Sequence, residues 1–106
     1  MPNFLFKASY EPEGVRGVAK NGGSARRDVI AKVFEANGGK LDSFYFAFGD
    51  ADVYAFGALP DNESALAIAL AVNQTGHTKV STVVLATPEE VDAAAGKSVD
   101  YTPPGG

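Results

Sequence analysis

The stretch Lys40-Leu41-Asp42-Ser43-Phe44-Tyr45-Phe46-Ala47-Phe48-Gly49-Asp50-Ala51-Asp52-Val53-Tyr54-Ala55-Phe56-Gly57-Ala58-Leu59 decides the fold. Aromatic side chains crowd its first half at Phe44, Tyr45, Phe46 and Phe48, and such residues pack well on a pleated surface. Gly49-Asp50-Ala51 interrupts the run with turn chemistry, after which Val53, Tyr54 and Phe56 resume it. Two apolar runs joined in this way predict a β-hairpin, with one strand from Lys40 to Phe48 and the next from Asp52 to Leu59. Pro60-Asp61 closes it.

Upstream, Asn37-Gly38-Gly39 supplies a left-handed stop for a helix carrying Val29, Ile30, Val33 and Phe34 at helical spacing. Arg26, Arg27, Lys32 and Glu35 suit its solvated face, and Ser24 is the expected N-cap. A further helical stretch with Val15, Val18 and Ala19 precedes it, interrupted near Gly22-Gly23. Asn3 to Tyr10 alternates Phe4, Phe6, Ala8 and Tyr10 against Leu5, Lys7 and Ser9, a first strand ended by an expected turn at Glu11-Pro12-Glu13-Gly14.

Downstream, Asp61 or Asn62 caps a helix to about Asn73. Leu66, Ile68, Leu70 and Val72 spread over about half its circumference, which predicts a well-covered helix. Thr75-Gly76-His77 is a loop, and Thr78 to Ala86 a β-branched fourth strand. Thr87-Pro88-Glu89-Glu90 combines a cap, a Pro at the first helical position and a Glu at the third, opening a short last helix that ends near Gly96. One domain over residues 1–96 and an extended Pro/Gly-rich tail over 97–106 are expected.

The resulting order is β-α-β-β-α-β with a short C-terminal helix: an α+β, ferredoxin-like domain with a four-stranded antiparallel sheet. Right-handed crossovers place both long helices on one face of that sheet. The other face carries Leu5, Lys7 and Ser9, then Leu41, Ser43, Tyr45 and Ala47, then Lys79, Ser81, Val83 and Leu85. Strand three adds Tyr54, Phe56 and Ala58 to one face, depending on a hairpin register that the sequence leaves open. A water-facing surface would alternate with strongly polar residues, and neither face does so. A homodimer packed sheet on sheet is therefore expected.

Bulk properties narrow the function. Hydrophobic residues at 45% and charged residues at 21% are an ordinary globular balance, so disorder is not expected. A net charge of −4 disfavours nucleic acid and anionic membranes as partners. The absence of cysteine removes disulfides, thiolate catalysis and iron–sulfur clusters. The apolar run Ala65 to Val72 is too short to span a bilayer, and Met1 to Lys7 lacks the pattern of a signal peptide, so a cytoplasmic protein is expected.

The chain resembles the GYD-domain family, named for a Gly-Tyr-Asp motif. The likeness covers nearly the whole chain and rests on Ser9-Tyr10 with Glu13-Gly14, Gly22-Gly23-Ser24-Ala25-Arg26-Arg27 and Gly38-Gly39-Lys40-Leu41. It continues through Phe44-Tyr45-Phe46-Ala47-Phe48-Gly49, Asp52-Val53 and Thr87-Pro88-Glu89-Glu90-Val91. Ala51 stands where the naming Tyr would be, so any task of that Tyr is absent here. The resemblance implies a dimeric α/β-barrel architecture and carries no established activity. Distantly similar dimeric barrels include cofactor-free monooxygenases, lactone isomerases and haem-binding enzymes, an analogy of fold alone.

Candidate chemistry is sparse. His77, the only histidine, is either a catalytic or ligating residue or a solvated loop residue, and with no second ligand at i+3 or i+4 no metal site is expected. Asp50 and Asp52 are a candidate base or carboxylate pair, or ordinary turn residues; Asp52, matching the family motif, is the stronger catalytic candidate. Arg26 opens a helix beside Gly22-Gly23-Ser24, where an anion could sit, although no nucleotide fingerprint occurs and no cofactor is expected. Lys7, Ser9, Tyr45, Tyr54 and Lys79 are polar-tipped strand residues that either orient a small aromatic or acidic ligand or satisfy one another across a wet interface. Three functions follow: a small-molecule-binding dimer, a cofactor-independent oxygenase or isomerase acting on a small aromatic substrate, and a structural dimer without ligand.

Overall fold

The computed structural model describes all residues from Met1 to Gly106. In chain order the elements are β1 (Asn3–Tyr10), α1 (Pro12–Asn21), α2 (Gly23–Ala36), β2 (Lys40–Phe46), β3 (Val53–Ala58), α3 (Asn62–Asn73), β4 (Thr78–Leu85) and α4 (Pro88–Ala95). The four strands form one antiparallel sheet in the order β2-β3-β1-β4, the ferredoxin-like arrangement. No helix is long and apolar enough to cross a membrane.

The core lies on one side of the sheet. Phe4 and Phe6 of β1 and Val53 and Ala55 of β3 point at Phe34 of α2 and at Ala65 and Ile68 of α3. Phe6 meets Phe34 edge to ring, with centroids 5.5 Å apart. Phe4, Phe34 and Leu59 are almost wholly removed from water, and each contributes about 1.5–3 kcal/mol by burial. Gly57 lets α2 come close: a Cβ there would collide with the Phe34 ring and lie 2.7 Å from the Lys40 carbonyl.

The expected turn at Glu11-Pro12-Glu13-Gly14 is instead the start of α1. Pro12 occupies the first turn, where its missing N–H costs nothing, and Glu13 lies near the positive helix end. Ser24 is not the cap of α2 either. Gly22, at φ 88 and ψ 159, turns the chain between the two helices, so α2 begins at Gly23, two residues earlier than a Ser24 cap would place it. The left-handed stop falls on Gly38, and the caps at Asp61 and Thr87 form as expected.

Two further expectations are corrected. The hairpin strands are shorter, because residues 47–52 make the connection, closed by the Ala47 N–H donating to the Asp52 carbonyl at 2.8 Å. Leu41 does not share a face with Ser43 and Tyr45. It pairs with Gly57 while Ser43 pairs with Phe56, so Asp42 is an extra residue, a bulge that returns Leu41 to the core side. The α3 helix is not well covered: Ala65, Ile68 and Val72 meet the sheet, whereas Leu66 and Leu70 point away and are 60% and 62% exposed.

Register also fixes the outer face. Ser43, Phe56, Leu5 and Val83 form one row across the four strands, and Tyr45, Tyr54, Lys7 and Ser81 the next. At the β4 edge the Asn73 side chain takes the place of a neighbouring strand. The Val80 N–H donates to Asn73 Oδ1 at 2.7 Å, and Asn73 Nδ2 donates to the Val80 carbonyl at 3.3 Å.

Candidate functional site

The helix-covered side is incompletely filled. Where β1 ends at Tyr10 and β4 begins at Thr78, an open cleft of about 660 Å³ runs between the α1–α2 corner and α3. Its walls are apolar: Val18, Val29, Ile30 and Val33 on one side, Ile68 and Val72 on the other. Beneath it lies a small apolar chamber of about 40 Å³, and Tyr10, Arg26 and Thr78 line both spaces. Apolar walls around a few polar groups are the usual make-up of a small-molecule site, and the volume falls within the range of about 300–1,000 Å³ typical of such sites.

Arg26 brings the charge. It lies in the first turn of α2, where Gly22 directs the helix start toward the end of β1. The ion pairs of the protein are Arg16 with Glu13 and Arg27 with Asp28, so Arg26 faces the cleft with no carboxylate bound to it. Its neighbour is the Tyr10 hydroxyl. Burial pushes the Tyr10 pKa up, the charge and hydrogen-bonding reach of Arg26 pull it down, and the Asp52 charge adds to the rise; burial dominates.

Asp52 holds this corner together. Its Oδ2 accepts the Tyr10 N–H at 2.8 Å, and its own N–H donates to the Ala8 carbonyl at 2.8 Å. The carboxylate thereby fixes the backbone of Tyr10. His77 stands on the rim, exposed, with its N–H donating to Thr75 Oγ1 at 3.2 Å and its carbonyl accepting the Glu11 N–H at 2.9 Å.

The other candidates from the sequence lie on the opposite face of the sheet. Tyr45 and Tyr54 are cross-strand partners, as are Lys7 and Tyr54, and Lys7 Nζ stands 5.9 Å from the centre of the Tyr54 ring. Ser9 pairs with Lys79, and these residues with Lys7, Asp50, Ala51 and Ser81 line a hollow of about 180 Å³. The candidate residues thus divide: Arg26 and His77 meet in the helix-side cleft, while Lys7, Ser9, Tyr45, Tyr54 and Lys79 share the outer face. Tyr10 was missed as a site residue. The available signal was a polar tip ending a strand face that otherwise carries Phe4, Phe6 and Ala8.

A ferredoxin-like α+β domain with an arginine-bearing cleft between its helices is the class that fold and site define. The family model of the GYD domain matches residues 4–95, and the chain belongs to that family. No curated protein and no solved structure matches it.

Proposed function

We propose that this protein is a homodimer, joined through the outer faces of its sheets, that binds a small organic anion with an apolar body in the helix-side cleft. The observation that carries the reading is Arg26, a guanidinium without a carboxylate partner, set among Val29, Ile30, Ile68 and Val72. A carboxylate against Arg26 and the Tyr10 hydroxyl gains charge-assisted hydrogen bonds, and an aromatic or branched aliphatic body gains burial against the walls. Binding is favoured over catalysis because the candidate bases do not converge. Asp52 is engaged by the Tyr10 N–H, and His77 stands exposed at the rim.

Benzoate and its neutral counterpart benzamide, compared by thermal shift and calorimetry, test the reading. Benzoate should stabilise the protein and bind more tightly than benzamide by about 10- to 100-fold, the worth of a hydrogen-bonded charge. Arg26→Ala should abolish the stabilisation by benzoate. Absence of benzoate binding, or unchanged binding to the Arg26→Ala protein, would overturn the proposal.

A further inference from the structure

Two features near the C-terminus have no role in the cleft. The first is the free edge of β4, the last strand of the sheet. The Asn73 amide satisfies the Val80 N–H and carbonyl on that edge. In an antiparallel ladder such groups turn outward at every second residue, so those of Thr82 and Val84 face the same way. No turn, loop or side-chain hydrogen bond engages either residue, and Val84 is 62% exposed. An open edge of this kind is a template for an added strand.

The second feature is the segment from Pro88 to Gly106, in which every residue is exposed. The α4 helix is firmly started by a reciprocal cap between Thr87 and Glu90, yet it buries no residue against the sheet. After Gly96 the chain runs without helix or strand until a turn near Pro104. Val99 and Tyr101, 80% and 70% exposed, alternate with Ser98, Asp100 and Thr102, as in a strand with one apolar side. Pro103 and Pro104 have no N–H and would end any pairing there. The molecule measures 55 × 33 × 23 Å, long for a chain of this size.

We propose that residues 98–102 of one copy add as a fifth strand to the Thr82–Val84 edge of β4 in a second copy. The occupant is a second copy because α4 intervenes: eight helical residues carry the tail about 12 Å from the end of its own β4. Mutual exchange of the two arms closes the pair with two-fold symmetry. Main-chain hydrogen bonds supply the attachment, and Val99 covers Val84. This contact uses the backbone of the β4 edge and stands apart from the side-chain face of the sheet, so either can fail without the other.

The chain has no cysteine, which makes the test direct. Val84→Cys and Val99→Cys are introduced into separate full-length chains, and the two proteins are mixed under mild oxidation. A disulfide linking the two different variants is expected, because the added strand places their side chains side by side. In the unsubstituted protein the Thr82 and Val84 amides should exchange with solvent more slowly by at least about tenfold as concentration rises through dimer formation. A link that forms only when one chain carries both cysteines would assign the edge to the chain's own tail and overturn the proposal. So would fast exchange of both amides at every concentration.

Discussion

Tyr10 shows how one residue joins fold to site. Its N–H is held by Asp52 Oδ2, while its hydroxyl lies within the electrostatic reach of Arg26. Burial raises its pKa above the ordinary 10.0, and the folded chain therefore holds that proton more tightly than the unfolded chain does. The associated stability is complete below the unfolded value and is lost as pH rises through the folded one. Denaturant unfolding of the protein and of Tyr10→Phe across alkaline pH should show a constant stability difference up to about pH 9, then a growing loss in the tyrosine protein alone. A flat difference at every pH would mean that the hydroxyl is well solvated. The sequence placed Tyr10 correctly, on the side of β1 with Phe4 and Phe6. It did not reveal the contact with Arg26, because residues sixteen positions apart meet only through the α1–α2 corner at Gly22. Arg26 itself was legible as an anion candidate, since an arginine opening a helix after a glycine break is a local pattern.

At the scale of elements, the bulge at Asp42 sets which side chains of β2 reach the outer face. The pairs on either side of it, Leu41 with Gly57 and Ser43 with Phe56, already fall on consecutive residues of β3. Deleting Asp42 therefore leaves Leu41 toward the core and Ser43 outward, in regular alternation. The deleted protein should fold with its stability changed by no more than about 1 kcal/mol, as for a surface change that leaves the core pattern intact. Loss of cooperative unfolding, or amide shifts spreading to the Phe4–Phe34 core, would show that the bulge is required for the twist of β2. Element order was readable because hydrophobic periodicity changes between strands and helices and because Asp61, Thr87 and Gly38 mark helix ends. The bulge was not readable, since an inserted residue leaves an apparently unbroken alternation of Leu41, Ser43 and Tyr45. The two sides of α3 were hard to separate for a similar reason. Its apolar residues occupy most of the helix, and only the position of the sheet distinguishes Ile68 from Leu66.

At the scale of the molecule, the single chain buries only 11 of its 106 residues, all of its core lying on one side of the sheet. The outer side presents Leu5, Phe56 and Val83 in one row, Tyr45 and Tyr54 in the next, and Leu85 at the β4 end. Four strands of this length make a patch of about 20 by 25 Å, a suitable scale for the sheet-on-sheet homodimer proposed above. Tyr45 is 63% exposed in the single chain and should be among the residues most covered by such packing. Tyr45→Asp then places a carboxylate in the interface of both copies, so two-fold symmetry counts its desolvation twice. A total cost of about 3 kcal/mol weakens the dimer by more than about 100-fold. Phe56→Asp, in the adjacent row, should act in the same direction. Sedimentation analysis across a concentration series should find the substituted chains associating more than about 100-fold more weakly than the unsubstituted protein. Dimers of unchanged affinity in both variants would remove the outer face from the interface, and the polar residues there, Lys7, Ser9 and Lys79, would then stand in water.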